Sequence, residues 1–297
     1  MDFDEGKFTH IIVGAGSAGC LLANRLSAKV SNRVLLLEAG EWDRGFWLKL
    51  PVGYYKTMNN PKVSRHFSTE PSTGSGGRSI NWPRGRVIGG SSSINGLIFI
   101  RGQHKDFDDW AALGNSGWAF NDVLPYFRKF ECFNGANSQF HGHHGELQVS
   151  ELRNSHPYCN AWLDAAKQYG LPRNSDFNAE TTEGVGEYHL SIGSRWRSSS
   201  ASAFLKPVQH RKNLTIMTNV FTERVLFRDK VAIGVEVLAN GKRHELFSES
   251  EVILSAGSIQ SPQILQVSGI GPAPVLKRCG VEMIAESPNV GKNLQDH

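Results

Sequence analysis

Two glycine-rich segments hold the residue types that could do chemistry in this chain. The first contains Gly14-x-Gly16-x-x-Gly19 directly after the apolar run His10-Ile11-Ile12-Val13. The second is Gly85-Arg86-Val87-Ile88-Gly89-Gly90-Ser91-Ser92-Ser93-Ile94-Asn95-Gly96. Each glycine of the first segment has a mechanical reason. Gly14 permits a tight turn, Gly16 lets the backbone approach a pyrophosphate, and Gly19 lets the next helix pack on the strand. That helix would offer free N–H groups and a positive dipole end to phosphates. In the second segment, a bare Gly89-Gly90 followed by serines points to a backbone brought close to a flat or charged ligand. A nucleophilic serine is the rival reading. No G-x-S-x-G elbow occurs in the chain, which argues against hydrolase chemistry.

The elements that must position these groups are legible around them. His10–Val13 reads as a buried parallel strand. Residues 20–26 read as a helix, with Ala18, Leu22 and Leu26 one turn apart on one face. Arg33–Leu37 reads as the second strand, closed by Glu38. Glu38 lies 38 − 19 = 19 residues after the last glycine, where a carboxylate accepts hydrogen bonds from ribose hydroxyls and repels a 2′-phosphate. NADP is therefore disfavoured. A bare G-x-G-x-x-G also occurs in ordinary strand–helix turns. The strand before it, the helix after it and the spaced acid together indicate dinucleotide binding. The unit alone does not separate FAD from NAD.

The composition bounds the alternatives. The chain has 297 residues, 39% of them hydrophobic, enough for one large domain or two smaller ones. The charge balance is 32 − 28 = +4, without a block of like charges, so nucleic-acid binding has little support. Trp196 between Arg195 and Arg197 is too small a basic–aromatic cluster to change that. Cys20, Cys132, Cys159 and Cys279 are far apart with no C-x-x-C pair, as expected for a reduced cytoplasmic chain. The acidic, polar start Met1–Lys7 is unlike a signal peptide, and no apolar run approaches a membrane span. The apolar stretch Phe46–Tyr55 leaves contact with a membrane open, at most peripheral; its plainer reading is a buried segment or a lid near the cofactor.

With both glycine segments in view, the chain resembles the glucose–methanol–choline (GMC) oxidoreductases, a family of FAD-dependent alcohol dehydrogenases and oxidases. Gly85 to Asn95, running on through Phe99, Arg101-Gly102 and Asp108, resembles the family's first signature. Residues 257–271, Gly-Ser-Ile-Gln-Ser-Pro-Gln-Ile-Leu-Gln-Val-Ser-Gly-Ile-Gly, resemble the second. Glu38-Ala39-Gly40 and residues 290–297 are further matches, and all occur in family order. The resemblance implies an α/β fold: an FAD-binding, doubly wound Rossmann-like domain with the start of an α+β substrate domain. It implies that 1–150 and 206–297 form the FAD-binding domain and 151–205 a partial substrate-binding domain. It places Ser17, Ala18, Glu38 and Ala39, with Gly14, Gly16 and Gly19, at the ADP part of FAD. Gly90, Ser91, Asn95, Gly96 and Ile98 would run along the pyrophosphate and isoalloxazine. Val220 matches the position whose backbone contacts adenine, and Ala256 and Gly257 would close the site. Where some members carry FAD on a histidine, this chain has Ile94, so the cofactor is expected to be non-covalent. Residues 101–110 and 118–127 resemble the choline-dehydrogenase-like and bacterial alcohol-dehydrogenase branch.

The remaining segments are read from pattern. Asp122–Phe130 suggests an amphipathic helix with Val123, Phe127 and Phe130 inward, and Glu146–Ser150 alternates like a strand. His141-Gly142-His143-His144-Gly145 invites a metal reading, but its glycines and missing ligand spacing favour a solvated loop and no metal. His156–Tyr169 reads as a helix ended by Gly170, and Leu214–Phe227 as strand-like. Ser261-Pro262 reads as an N-cap followed by proline at the first helical position. Gly269 would stop that helix and Gly280 the next one, near Pro274–Cys279.

The implied activity is oxidation of an alcohol to an aldehyde or ketone, by hydride transfer to the flavin and on to a quinone, a carrier or oxygen. Such a reaction needs a general base, usually histidine. In the family that residue lies in the C-terminal half, which this chain is expected to lack. His297 matches an internal family position instead. No catalytic residue is therefore assigned, and little turnover is expected from the chain alone. A flavin-bearing hydroxynitrile-lyase-like enzyme and a non-catalytic FAD-binding remnant are the alternatives. An NAD-linked dehydrogenase is disfavoured, because no regular βαβ repeats follow Glu38.

Overall fold

The computed structural model describes residues 8–153 and 155–295. The expectations for Met1–Lys7, Asp296 and His297 lie outside the described residues. Strand β1 (Phe8–Val13), helix α1 (Ser17–Leu26) and strand β2 (Val34–Glu38) form the first βαβ unit. β2 pairs in parallel with β1 on one side and with Leu214–Thr218 on the other. β1 also runs parallel to the end of Lys242–Leu254, aligning Val13 with both Leu37 and Leu254. The sheet continues antiparallel through Val231–Ala239 to Phe221–Arg228, giving six strands of mixed direction. Val34 to Leu37 are almost completely buried, as expected for a parallel strand covered on both faces. Ile11, Val13, Leu35, Leu37, Met217, Val235, Val237 and Ile264 join in one core.

Helix α1 departs from the expected face. Its buried residues are Gly19, Cys20, Ala23 and Asn24, not Ala18, Leu22 and Leu26. Small side chains let the helix approach the sheet closely, and buried Asn24 donates from Nδ2 to the Phe204 carbonyl at 2.7 Å. The strand-like run 214–227 is two strands, broken where Asn219 takes a left-handed φ of 59°. Asparagine tolerates that conformation better than most residues.

The chain divides into two compact units. The first comprises the residues up to Leu48, Val52–Ile94 and those from Ser200 on; the second comprises Lys49–Pro51 and Asn95–Ser199. This is a division by packing, and it sits elsewhere than the division by role expected at residue 150. In the second unit the helix Phe120–Phe130 presents Val123, Phe127 and Phe130 half-buried, with Phe127 edge-on to Phe107 at 5.6 Å. Pro157–Gln168 is helical, and Gly170 follows it with φ 103°. The stretch 46–55, expected as a buried segment or a lid, is not uniformly buried. It makes two short helices, Phe46–Lys49 and Tyr54–Thr57, that bury Leu48 but leave Trp47 47% and Tyr55 65% exposed. Among the described residues, no helix is long and apolar enough to cross a membrane.

Two glycines of the first βαβ unit are fixed by crowding. A Cβ at Gly19 would run into the Gly14 carbonyl oxygen and come within 2.8 Å of Ser255 Oγ. A Cβ at Gly14, where φ is +96°, would lie 2.7 Å from the Ser255 carbonyl oxygen. Gly19→Ala is therefore expected to lower stability by about 1–3 kcal/mol in denaturant unfolding. Gly45→Ala, whose Cβ would meet Leu48 at an ordinary 3.4 Å, should stay within about 1 kcal/mol of the parent.

Candidate functional site

The first unit carries a cavity of about 600 Å³ at the carboxyl ends of its parallel strands. Small-molecule sites are commonly of this size, about 300–1,000 Å³. Ligands of open α/β sheets bind in this place, outside the carboxyl strand ends. Val13 ends β1 and Gly14 follows it, Glu38 ends β2 and Ala39 follows it, Val220 follows Leu214–Thr218, and Ser255 to Gly257 follow Lys242–Leu254; all line the cavity. Two helices begin there, α1 with Ser17 and Ala18, and Gly257–Val267 with Gly257 and Ser258. Their first N–H groups lack intrahelical partners, so the cavity is electropositive before any side chain is counted. The second helix was expected to start at Pro262. Proline prefers the first helical turn, but here it lies inside the helix and forfeits one internal bond.

The two glycine segments meet at the cavity wall. A Cβ at Gly90, where φ is +54°, would stand 2.7 Å from the Gly16 Cα. Gly89 N–H donates to the Ala15 carbonyl at 2.7 Å, and Ile88 N–H to the Glu41 carbonyl at 2.9 Å. Gly16 itself is open: a Cβ there would find only the Ser255 oxygen, at 3.9 Å. Gly257, at φ +87°, has nothing within 4 Å of the corresponding point. A diphosphate and a flat ring system can thus reach bare backbone from both sides.

Among the described residues, Glu38 is the one acid lining the cavity, and it is 6% exposed. Its carboxylate accepts from Ala15 N–H at 3.0 Å and Gly40 N–H at 2.9 Å. Burial raises its pKa from 4.5 to about 7, against the lowering effect of those N–H groups and of the Arg86 charge. Its backbone carbonyl takes the Val220 N–H at 3.0 Å, which ties the Val220 turn to the end of β2.

Of the residues predicted to hold a cofactor, Gly14, Gly16, Ser17, Ala18, Glu38, Ala39, Gly90, Ser91, Val220, Ala256 and Gly257 line this cavity. Gly19 does not; it lies behind, in the helix–strand packing. Asn95, Gly96 and Ile98 belong to the second unit and are not among the lining residues. Leu97 between them has φ 70°, a strained backbone for a branched residue. Ile94 is 4% exposed and packs with Leu48 and Val87. Sequence reasoning left out Arg65, Phe67, Arg84 and Phe221, which also line the cavity and match no cofactor fingerprint.

The histidine segment is not the solvated loop expected. His141 is 2% exposed in the second unit. Its Nδ1 lies 3.1 Å from both carboxylate oxygens of Glu131, and its Nε2 lies 2.9 Å from Asp176 Oδ2. Arg101 donates to Glu131 from Nη2 at 2.8 Å and to the Phe140 carbonyl from Nη1 at 2.8 Å. Ring nitrogens of His141 and His189 and an oxygen of Asp176 lie within 4.8 Å of one another, close enough to suggest a metal. The nearest pair is nonetheless a direct hydrogen bond. The charges of Arg101, Glu131, protonated His141 and Asp176 also cancel without an added cation. Burial would lower the His141 pKa, but hydrogen bonds and charges from Asp176 and Glu131 override it and hold it at about 9. The cluster is an internal ion network, with Phe133 stacked on His141 at 4.0 Å between ring centres.

The chain is similar to known proteins over nearly all of its length. The family pattern described as GMC oxidoreductase matches residues 8–297. The oxygen-dependent choline dehydrogenase of Photobacterium profundum is 42% identical over 292 residues, covering 98% of this chain and 51% of that protein. An alcohol dehydrogenase [acceptor] of Pseudomonas putida is 42% identical over 295 residues, covering 98% of this chain and 53% of that protein. The crystal structure of pyridoxine 4-oxidase from Mesorbium loti superposes with a TM-score of 0.93 at 35% identity, over 98% of this chain and 57% of that one. The chain spans about half the length of the curated relatives it matches.

Two titrations follow from these environments. Glu38 has its folded pKa raised from 4.5 to about 7, so its contribution to stability is complete below pH 4.5 and is lost as pH rises through 7. The ligand-free thermal midpoint should fall across that window, and Glu38→Gln should flatten the fall. The His141 pKa is raised from 6.5 to about 9, so its contribution is complete below 6.5 and is lost as pH rises through 9. In melts followed by near-ultraviolet dichroism, His141→Gln should be less stable than the parent at neutral pH, with the gap closing above pH 9.

Proposed function

The chain belongs to the GMC oxidoreductase family, and we propose that the cavity of its first unit binds FAD non-covalently for oxidation of a CH–OH donor. The observation that carries this reading is the convergence of two helix N-termini, the Gly16–Gly90 contact and buried Glu38 on one cavity. Gly14, Gly16, Ser17 and Ala18 would take the ADP diphosphate on backbone N–H groups, with Gly19 holding the helix in place. Glu38 and Ala39 would take the ribose, and the turn at Val220 the adenine. Gly90, Ser91, Ala256 and Gly257 would flank the rest of the cofactor, with Asn95, Gly96 and Ile98 following along the isoalloxazine. By role, 1–150 and 206–297 would form the FAD-binding domain and 151–205 part of the substrate domain.

Bound FAD supplies the hydride acceptor for such a reaction. The residues of this chain bind and orient it. We assign no residue described here the role of general base. The substrate is an alcohol, in keeping with the relatives named for choline and alcohol, and the electrons pass to a quinone, a carrier or oxygen. Four free cysteines support a reducing, cytoplasmic setting. Exposed Trp47 and Tyr55 support peripheral membrane contact at most. The even spread of charge supports small-molecule rather than nucleic-acid partners.

Non-covalent binding rests on Ile94, a buried side chain with no nucleophilic atom at the position where some members use histidine. A fluorescence titration of FAD should saturate at one site per chain, and acid precipitation should leave the flavin in the supernatant. Ribose hydroxyls that donate to Glu38 favour its charged form. Affinity should therefore rise with pH as Glu38 ionises near 7, and Glu38→Gln should bind at least about tenfold more weakly with no such rise. Binding that does not respond to Glu38→Gln would place the cofactor elsewhere.

A further inference from the structure

The hairpin of β3 (Ser64–Ser68) and β4 (Asn81–Gly85) carries a feature that the cofactor fingerprints do not explain. Its antiparallel register sets Arg65 directly opposite Arg84. Like charges opposite each other across an antiparallel pair repel, and partial burial strengthens the repulsion. Both arginines are half-buried and both line the cavity. Among the described residues, neither is paired with a carboxylate.

Their other contacts hold them in place without neutralising them. The Arg65 guanidinium lies 5.0 Å from the Phe67 ring centre and 5.8 Å from that of Phe221. That of Arg84 lies 5.1 Å from the Trp82 ring centre, and its Nη1 donates to the Pro83 carbonyl at 3.0 Å. Arg86, on the same chain segment, already acts on Glu38 by lowering its pKa. Among the described residues the lining thus carries three arginines against one carboxylate, 3 − 1 = +2 with Glu38 ionised. Gly85, between Arg84 and Arg86, abuts the Gly90 backbone and takes the Ser91 Oγ on its N–H at 3.1 Å. The charge therefore sits beside the Gly90–Gly16 wall.

We propose that Arg65 and Arg84 form a cation pair that closes on the diphosphate of the bound dinucleotide. This rests on the reading of the cavity as an FAD site. Two like charges set at opposite strand positions on one cavity lining are a cost in the empty protein that a dianionic ligand removes. They also supply charge-assisted N–H donors to the phosphate oxygens.

The test uses ADP and FAD as probes on the whole chain, with Arg65→Gln, Arg84→Gln and Arg84→Lys, read by calorimetry and by ligand-free thermal melting. Each glutamine variant should bind ADP about tenfold or more weakly. Its ligand-free midpoint should hold or rise, because the repulsion is gone. Arg84→Lys should keep most of the affinity, and the weakening of ADP binding by salt should be smaller in the glutamine variants than in the parent. Parent-like ADP affinity in Arg65→Gln and Arg84→Gln would overturn the pair while leaving the FAD site intact. Equal losses in Arg84→Lys and Arg84→Gln would overturn it too, by showing that shape and not charge is read. A parent chain that binds neither ADP nor FAD would sink both this inference and the reading it rests on.

Discussion

The first unit depends on backbone approaching backbone without side chains between. Gly14, Gly19 and Ser255 pack two strand ends and a helix into one corner, and Gly90 brings the second glycine segment against Gly16. A single methyl group at Gly19 or Gly90 would meet main-chain atoms, which cannot rotate away as a side chain can. This close packing keeps the cavity wall bare. It also aims the first turns of two helices at the same space, where unpaired N–H groups sum to a positive field.

Burial then tunes the acid Glu38 in that field. Glu38 is held by two backbone N–H groups, yet water is excluded from it strongly enough to raise its pKa to about 7. A carboxylate in this state is poised to gain from hydroxyl donors that restore what water would have supplied. The β3–β4 hairpin brings charge of the opposite sign to the same lining. The lining thus offers both an acceptor for hydroxyls and cations for phosphates, as a nucleoside diphosphate requires. In the second unit electrostatics does a different task. There an alternating chain of Arg101, Glu131, His141 and Asp176 ties loops distant in sequence around a stacked Phe133.

Much of the cavity is legible in the sequence, because its constraints are local. Gly14, Gly16, Gly19 and Glu38 report on one strand–turn–helix–strand unit, and their spacing encodes its geometry. What the sequence hides depends on tertiary neighbours. The buried side of α1 is set by Asn24 finding the Phe204 carbonyl, a partner 180 residues away. The start of the helix at Gly257 is hidden by Ser261-Pro262, a local signal that tertiary packing overrides. His141 reads as solvated next to its glycines, yet it is buried because Glu131 and Asp176 come to it from other segments. Arg65 and Arg84 are unremarkable until strand register sets them opposite each other.

The claim that the carboxyl edge of the parallel strands is the cofactor site is tested most directly by a crystal structure of the chain grown with FAD. The account predicts the diphosphate against the wall formed by Gly16 and Gly90, a ribose hydroxyl on the Glu38 carboxylate and the adenine beside Val220. Cofactor density away from these residues, or crystals from saturating FAD with density nowhere in the cavity, would contradict it.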